Sequence, residues 1–159
     1  MTRLYGRASH GKRCYDKAPD GRWETVTVLS AIRLDGETES VMFEGAVDRP
    51  MFEAYIEQIL GPSLRPGDIV IMDNLRAHKS QVAQAFVAAR SASYLFLPAY
   101  SPDFNPIEKM WSKIKQILRS LKARTQEELF EAVAKALSMV TADDAQGWFT
   151  SCGYIKYQS

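Results

Sequence analysis

Residues 69–80, IVIMDNLRAHKS, and residues 94–111, YLFLPAYSPDFNPIEKMW, decide how this chain folds. IVIM is a continuous apolar run with Asp68 before it and Asp73-Asn74 after it. A run of that length between turn residues reads as a strand covered on both faces, as in a parallel sheet. YLFLP at 94–98 reads as a second short buried strand. Between them, a helix at roughly 80–90 carries Val82, Ala83, Phe86 and Val87 as its buried stripe. A long helix at 106–121 follows, burying Ile107, Met110, Trp111, Ile114, Leu118 and Leu121. This order places Asp73 at the carboxyl end of a strand, the edge where open α/β sheets bind ligands. Glu108 falls in the first turn of the long helix, and thirty-four residues separate the two carboxylates.

The flanks extend the same architecture. WETVTVLSAIR (23–33) alternates and is rich in Val, Thr and Ile, so it reads as a strand. Asp35-Gly36 makes a hairpin turn into a second strand at 38–45. Asp48 caps a helix with Pro50 in its first turn and an apolar face of Met51, Phe52, Tyr55, Ile56, Ile59 and Leu60, ended by Gly61-Pro62. Thr125 and Glu128 form a capping box before a helix with Leu129, Val133, Leu137 and Val140 inside. A last helix falls near 142–151. Residues 1–21 are polar, basic and irregular. A hairpin feeding two parallel strands with crossover helices is an α/β layer architecture. No repeat or linker divides it, so residues 1–159 read as one domain.

Composition narrows the function. With 159 residues, 46% apolar and 25% charged, the chain is long enough to bury a core. No apolar run spans a bilayer and no signal peptide opens the chain. Cys14 and Cys152 fit no metal spacing, and free thiols imply a reducing cytosol. Glycine-rich phosphate loops and nucleophile elbows are missing, which leaves little for a small-molecule α/β enzyme. Net charge is only +1, yet Arg3, Arg7, Lys12 and Arg13 gather near the start, and Lys109, Lys113, Lys115 and Arg119 on the long helix. Such clusters are either polyanion-docking surfaces or solvated faces.

Each candidate residue carries two readings. Asp73 is a carboxylate on a rigid element, as metal chemistry requires, or half of a turn-forming Asp-Asn pair. Asn105 suits an N-cap, Pro106 the first helical position, and Glu108 the third, so Glu108 is a metal ligand or a capping residue. His78 orients substrate or a metal-bound water, or is a polar helix-entry residue. Asp103 reads as a turn residue and Trp111 as core.

LPAYSPDFNPIEKMWSKIK (97–115), with its Ser-Pro-Asp-Phe-Asn-Pro-Ile-Glu core, together with Asp73-Asn74 and His78 upstream, resembles the DDE transposases of the Tc/mariner superfamily, in particular their bacterial insertion-sequence branch. The resemblance runs from the YGRA near residue 5 to the C-terminal helices. It implies an RNase H-like mixed sheet flanked by helices. It also implies metal-dependent DNA cleavage and strand transfer, with two aspartates and a final acid holding Mg²⁺ or Mn²⁺. Asp73 would be the second acid and Glu108 the third, with Asn74, His78 and Asn105 in support. The basic clusters would contact transposon-end and target DNA, and the protein would form a homo-oligomer in the bacterial cytoplasm. In that family the first aspartate lies on a central strand just before the YGRA segment. That strand is not in this chain, which therefore reads as a C-terminal fragment, inactive by itself. The alternative is a non-catalytic remnant that binds DNA or another transposase subunit. Without its central strand the sheet has three outcomes: residues 1–15 fill the slot, the two edges close directly, or a second chain donates a strand. Association of chains is the first expectation, since residues 1–15 are polar and glycine-rich.

Overall fold

The computed structural model describes residues 25–154. Arg3, Arg7, Lys12, Arg13 and Cys14 lie outside the described residues, as does the start of the strand expected at 23–33.

Strands β1 (Val26–Ile32) and β2 (Thr38–Glu44) pair antiparallel, with Ser30 opposite Ser40 and their hydroxyls 2.7 Å apart. The connecting turn closes with Gly36 N–H to Arg33 C=O at 3.0 Å, and Asp35 Oδ1 accepts from Glu37 N–H. Gly36 has φ +88°, and a Cβ there would meet Thr141 and Ala142 backbone atoms at 2.8–2.9 Å. Glycine is therefore required twice over, by conformation and by space.

Asp48 caps helix α1 (Arg49–Tyr55) by accepting from Met51 N–H. The helix does not stop at Gly61-Pro62 as the sequence suggests. It runs through a π-helical stretch (Ile56–Leu60) into one further turn, α2 (Gly61–Ser63). Gly61 donates back to Ile56 C=O, and Arg90 Nη1 donates to the Gly61 carbonyl at 2.6 Å. The wider π turn and that arginine carry the chain past a proline that contributes no N–H.

Strand β3 (Ile69–Met72) then pairs parallel with β4 (Ser93–Phe96), and α3 (Gln81–Ala88) crosses between them. Three helices complete the described chain: α4 (Pro106–Leu121), α5 (Gln126–Ser138) and α6 (Ala142–Ser151).

The strands carry a layer on each face. Leu29 and Ala31 of β1, Val70 of β3, and Tyr94 and Phe96 of β4 pack into a cluster with Phe52, Tyr55, Ile56, Ala83 and Val87. Ile32, pointing the opposite way along β1, packs with Met110, Ile114 and Ala136 of the helices α4 and α5. The period of two in β1 thus decides which layer each residue serves.

Some expectations need correction. The run IVIM is not covered on both faces: Ile69 is 61% exposed, and Leu95, opposite Ile71 on β4, is 47% exposed. The reason is the sheet itself, which is two separate two-stranded pieces among the described residues, with β1 and β3 not bonded to each other. Direct closure of the two edges is thus not what the structure shows. Val82 is half exposed and Leu121 is 39% exposed, because α3 buries a narrower stripe and Leu121 sits in the last turn, before the left-handed cap Lys122.

Two ion pairs link distant segments. Arg33 Nη2 meets Asp68 Oδ2 at 2.5 Å and donates to Ser63 C=O. Lys113 pairs with Asp144 and donates to Met139 C=O at 2.9 Å. The hydrogen bond from Arg33 holds Asp68 below the usual carboxylate range, and that from Lys113 does the same for Asp144. A carboxylate lowered in the folded state adds stability that is complete above its unfolded pKa and disappears as pH falls through the folded value. Urea midpoints should therefore fall as pH drops from about 5 toward 2, and Asp144→Asn should flatten that slope while lowering the neutral-pH midpoint. An unchanged slope in Asp144→Asn would mean the pair contributes nothing.

Candidate active site

Asp73 follows directly on β3. Its side chain is 44% exposed, and its Oδ1 accepts weakly from Leu75 N–H at 3.4 Å, so the turn-forming role read from Asp-Asn is present in part. The same oxygen lies 2.5 Å from His78 Nδ1. That nitrogen is buried and makes no aligned hydrogen bond, so the two side chains are in close contact without a directed bond. His78 sits in a short 3₁₀ turn, Ala77–Lys79, with its ring against Phe52 of α1 at 4.7 Å between centroids. The helix-entry residue is thus also the close neighbour of Asp73.

Glu108 reaches the site through a loop fixed at both ends. Leu97 N–H bonds to Met72 C=O at 2.8 Å, so the loop leaves β4 alongside the end of β3. Tyr154 Oη donates to Phe104 C=O at 2.7 Å near its other end. Pro98, Pro102 and Pro106 punctuate it, each fixing its own φ. Asn105 is buried at the N-cap of α4 yet makes no side-chain capping bond. The reciprocal bonds that Thr125 with Glu128, and Thr141 with Asp144, complete do not form at Asn105 and Glu108. The capping explanation for Glu108 is therefore not realised, and its side chain is exposed.

Asp73, His78, Asn105, Glu108 and Trp111 all line one cleft of about 640 Å³. Asn74 is exposed and is not among the cleft residues. Asp103 is an exposed member of the 3₁₀ turn Pro102–Phe104, as its sequence setting indicates. Trp111 packs against the α4–α5 core as well as bordering the cleft.

The basic residues of α4 divide into two groups. Lys109, Lys115 and Arg119 are exposed. Lys113 is committed to Asp144 and Met139, which no local sequence signal reveals because its partners lie on and before α6. Glu108, Ser112, Lys115 and Arg119 recur at i, i+4, i+7 and i+11, so two cations share the carboxylate's own helix stripe. Lys115 stands about 10 Å along the axis from Glu108 at 1.5 Å per residue.

Carboxylate oxygens are the donors Mg²⁺ and Mn²⁺ take, and Mg²⁺ commonly uses one or two of them with waters and substrate phosphates. Asp73 and Glu108 fit that ion in kind. Among the described residues no group of three His, Cys, Asp or Glu side chains forms a complete metal cage. No helix among them is long and apolar enough to cross a membrane.

Comparison with known proteins places the chain in a family. Residues 1–130 match the family model described as DDE superfamily endonuclease. The chain is 29% identical over 102 residues to the Tcb1 transposase of Caenorhabditis briggsae, covering 60% of this chain and 37% of that one. It is 26% identical over 97 residues to the Tc1 transposase of Caenorhabditis elegans, covering 58% and 36%. The chain thus spans little more than a third of these relatives. The crystal structure of the Mos1 strand transfer complex superposes with a TM-score of 0.73 at 13% identity, over 94% of this chain and 46% of that one. That likeness establishes the α/β fold as RNase H-like. By its sequence across most of its length, this chain belongs to the DDE superfamily endonucleases.

Proposed function

We propose that the chain is the catalytic part of a transposase, cutting and joining DNA with Mg²⁺ or Mn²⁺ held by Asp73 and Glu108. The observation carrying this reading is that these two carboxylates line one cleft from separate elements, with Glu108 unused as a cap. Bound metal would supply an activated water and a stabilised leaving oxygen in phosphodiester cleavage. His78 holds the Asp73 carboxylate in place, and Phe52 holds His78. Lys115 and Arg119 offer phosphate contacts along the stripe that begins at Glu108, and such contacts position DNA without reading its sequence. Lys109 adds a third exposed cation beside that stripe. Arg3, Arg7, Lys12 and Arg13 would extend the DNA surface. The bacterial insertion-sequence branch, a homo-oligomeric assembly and a place in the bacterial cytoplasm belong to this proposal as well.

The test is Mn²⁺ added to isotope-labelled protein. Amide signals near residues 73 and 108 should broaden selectively, and Asp73→Asn or Glu108→Gln should weaken that effect by at least about tenfold, the loss already caused by removing an outer-shell partner of a metal site. Broadening elsewhere, untouched by either substitution, would end the metal-site reading. Because two carboxylates leave a metal pair under-coordinated, the 159-residue chain alone should nick supercoiled DNA little or not at all. Robust nicking that disappears in Asp73→Ala would show that another acid completes the set.

DNA affinity should fall linearly with salt on logarithmic axes, with a slope of about −0.9 per phosphate contact. The Lys115→Ala/Arg119→Ala double variant should make the slope shallower by about 2 units. A second reading, a DNA-binding remnant without catalysis, draws on the two-carboxylate count. It predicts the salt slope without the Mn²⁺ effect.

A further inference from the structure

We infer that Tyr154 is a positioning residue for Glu108: its hydroxyl, held out by the C-terminal cap of α6, fixes the backbone from which α4 starts. The inference rests on the proposed role of Glu108 as a metal ligand and adds the group that aims it. An open cap is the first observation. Helices α5 and α6 each begin with a completed capping box, Thr125 with Glu128 and Thr141 with Asp144. Helix α4 has Asn105 and Glu108 in the corresponding places but makes no side-chain capping bond. Keeping Glu108 out of a cap deprives the helix of the local bonds that would fix its start.

The second observation is an anchor that arrives from α6. That helix ends in a Schellman cap: Tyr154 N–H bonds to Phe149 C=O at 3.1 Å, and Gly153 N–H to Thr150 C=O at 3.0 Å. Gly153 supplies the left-handed residue the cap needs, at φ +86°. The apolar contact that accompanies such caps is present, with the Phe149 and Tyr154 rings edge to face at 6.1 Å between centroids. The cap therefore sets where the Tyr154 ring points. Its Oη donates to Phe104 C=O at 2.7 Å. Phe104 directly precedes the N-cap Asn105, so the bond falls at the junction of loop and helix, four residues before Glu108. Burial, with a smaller contribution from Cys152, raises the Tyr154 phenol above its usual range, so the hydroxyl keeps the proton it donates.

The same region grips α4 further along, where Lys113 pairs with Asp144 of α6 and donates to Met139 C=O just before it. Glu108 lies between the two holds. Tyr100, inside the loop, sits at φ +58°, a left-handed conformation that costs a non-glycine residue and persists where its surroundings dictate it. A loop carrying that cost has reason to relax when one end is released. The family match covers residues 1–130, so the motif around Glu108 and the residue that aims it stand in different parts of the chain. Tyr154 acts through the backbone of Phe104, which makes it a positioning residue.

The experiment compares Tyr154→Phe and Tyr154→Ala in the whole chain, first without metal or DNA. Phenylalanine keeps the ring on Phe149 and removes only the hydroxyl. The N–H groups of Phe104, Asn105 and Glu108 bond within the loop and the first turn. Their exchange should speed up about two- to tenfold in Tyr154→Phe, the factor that one net hydrogen bond represents. Exchange in β3 and α5 should stay unchanged. At saturating Mn²⁺, broadening near residue 73 should remain in Tyr154→Phe, and that near residue 108 should fall. Unchanged exchange at 104, 105 and 108 in Tyr154→Phe would overturn the inference; if Tyr154→Ala alone speeds it, the residue only caps α6. Faster exchange throughout the chain would mean general loosening and would also overturn it. Faster local exchange with undiminished broadening at residue 108 would mean that the loop is anchored but the carboxylate is not aimed, which overturns it too. Wild-type protein without Mn²⁺ broadening at either acid would instead sink the metal reading, and exchange alone would then decide whether Tyr154 anchors the start of α4.

Discussion

Alanine at position 110 should cost about 2–5 kcal/mol, the range for emptying a large apolar site in a core that cannot collapse onto it. Met110 is fully buried, and its helix is the element that presents Glu108. Its neighbours in that core, Ile114 and Ala136, come from α4 itself and from α5, so the void falls at the joint between two helices. Urea unfolding would report the loss as a lower midpoint with little change in slope. Lys115→Ala, on the exposed side of the same helix, should stay within about 0.5 kcal/mol. A Met110→Ala protein as stable as that control would mean α4 is not anchored as described.

Gly36→Ala should cost about 2–4 kcal/mol, from a left-handed backbone and a steric conflict acting together. Position 36 has φ +88°, and its missing Cβ would press on the backbone of Thr141 and Ala142, where α6 begins. Gly45 is the matching control: φ is +95°, but nothing lies within 4 Å of its missing Cβ. Gly45→Ala should carry the conformational part alone, about 1–2 kcal/mol. Equal losses at the two positions would show that the hairpin does not bear on α6.

Local pattern made most of the fold legible. The alternation in 26–32, the apolar runs at 69–72 and 94–96, and the helical spacing of Phe52, Tyr55, Ile56 and Leu60 each correspond to an element of that type. The π turn was not legible, because the Arg90 side chain that reaches the Gly61 carbonyl comes from the turn after α3, distant in sequence. Helix periodicity also overstated burial at Val82 and Leu121, since it marks a face without saying how much of it meets a partner. At the site, residue types alone left Asp73 and Glu108 balanced between chemistry and turn or cap roles. The resemblance favoured chemistry, and the geometry shows Glu108 free of the capping bond. The Asp73–His78 contact had a local signal, both residues lying around one turn. The commitment of Lys113 to Asp144 had none, because thirty-one positions separate them.

The two apolar clusters have a dynamic consequence. Asp73 and His78 adjoin the cluster built on α1 and α3, whereas Glu108 rides on the helix at the centre of the other. Units with separate cores open with separate free energies, as cooperative foldons do. Transient release of the α4–α6 helices would carry Glu108 away while Asp73 kept its place on β3. The distance between the two acids would then follow the docking equilibrium of two sub-structures, so the site's readiness is a population, set by how much of the time both halves are closed together.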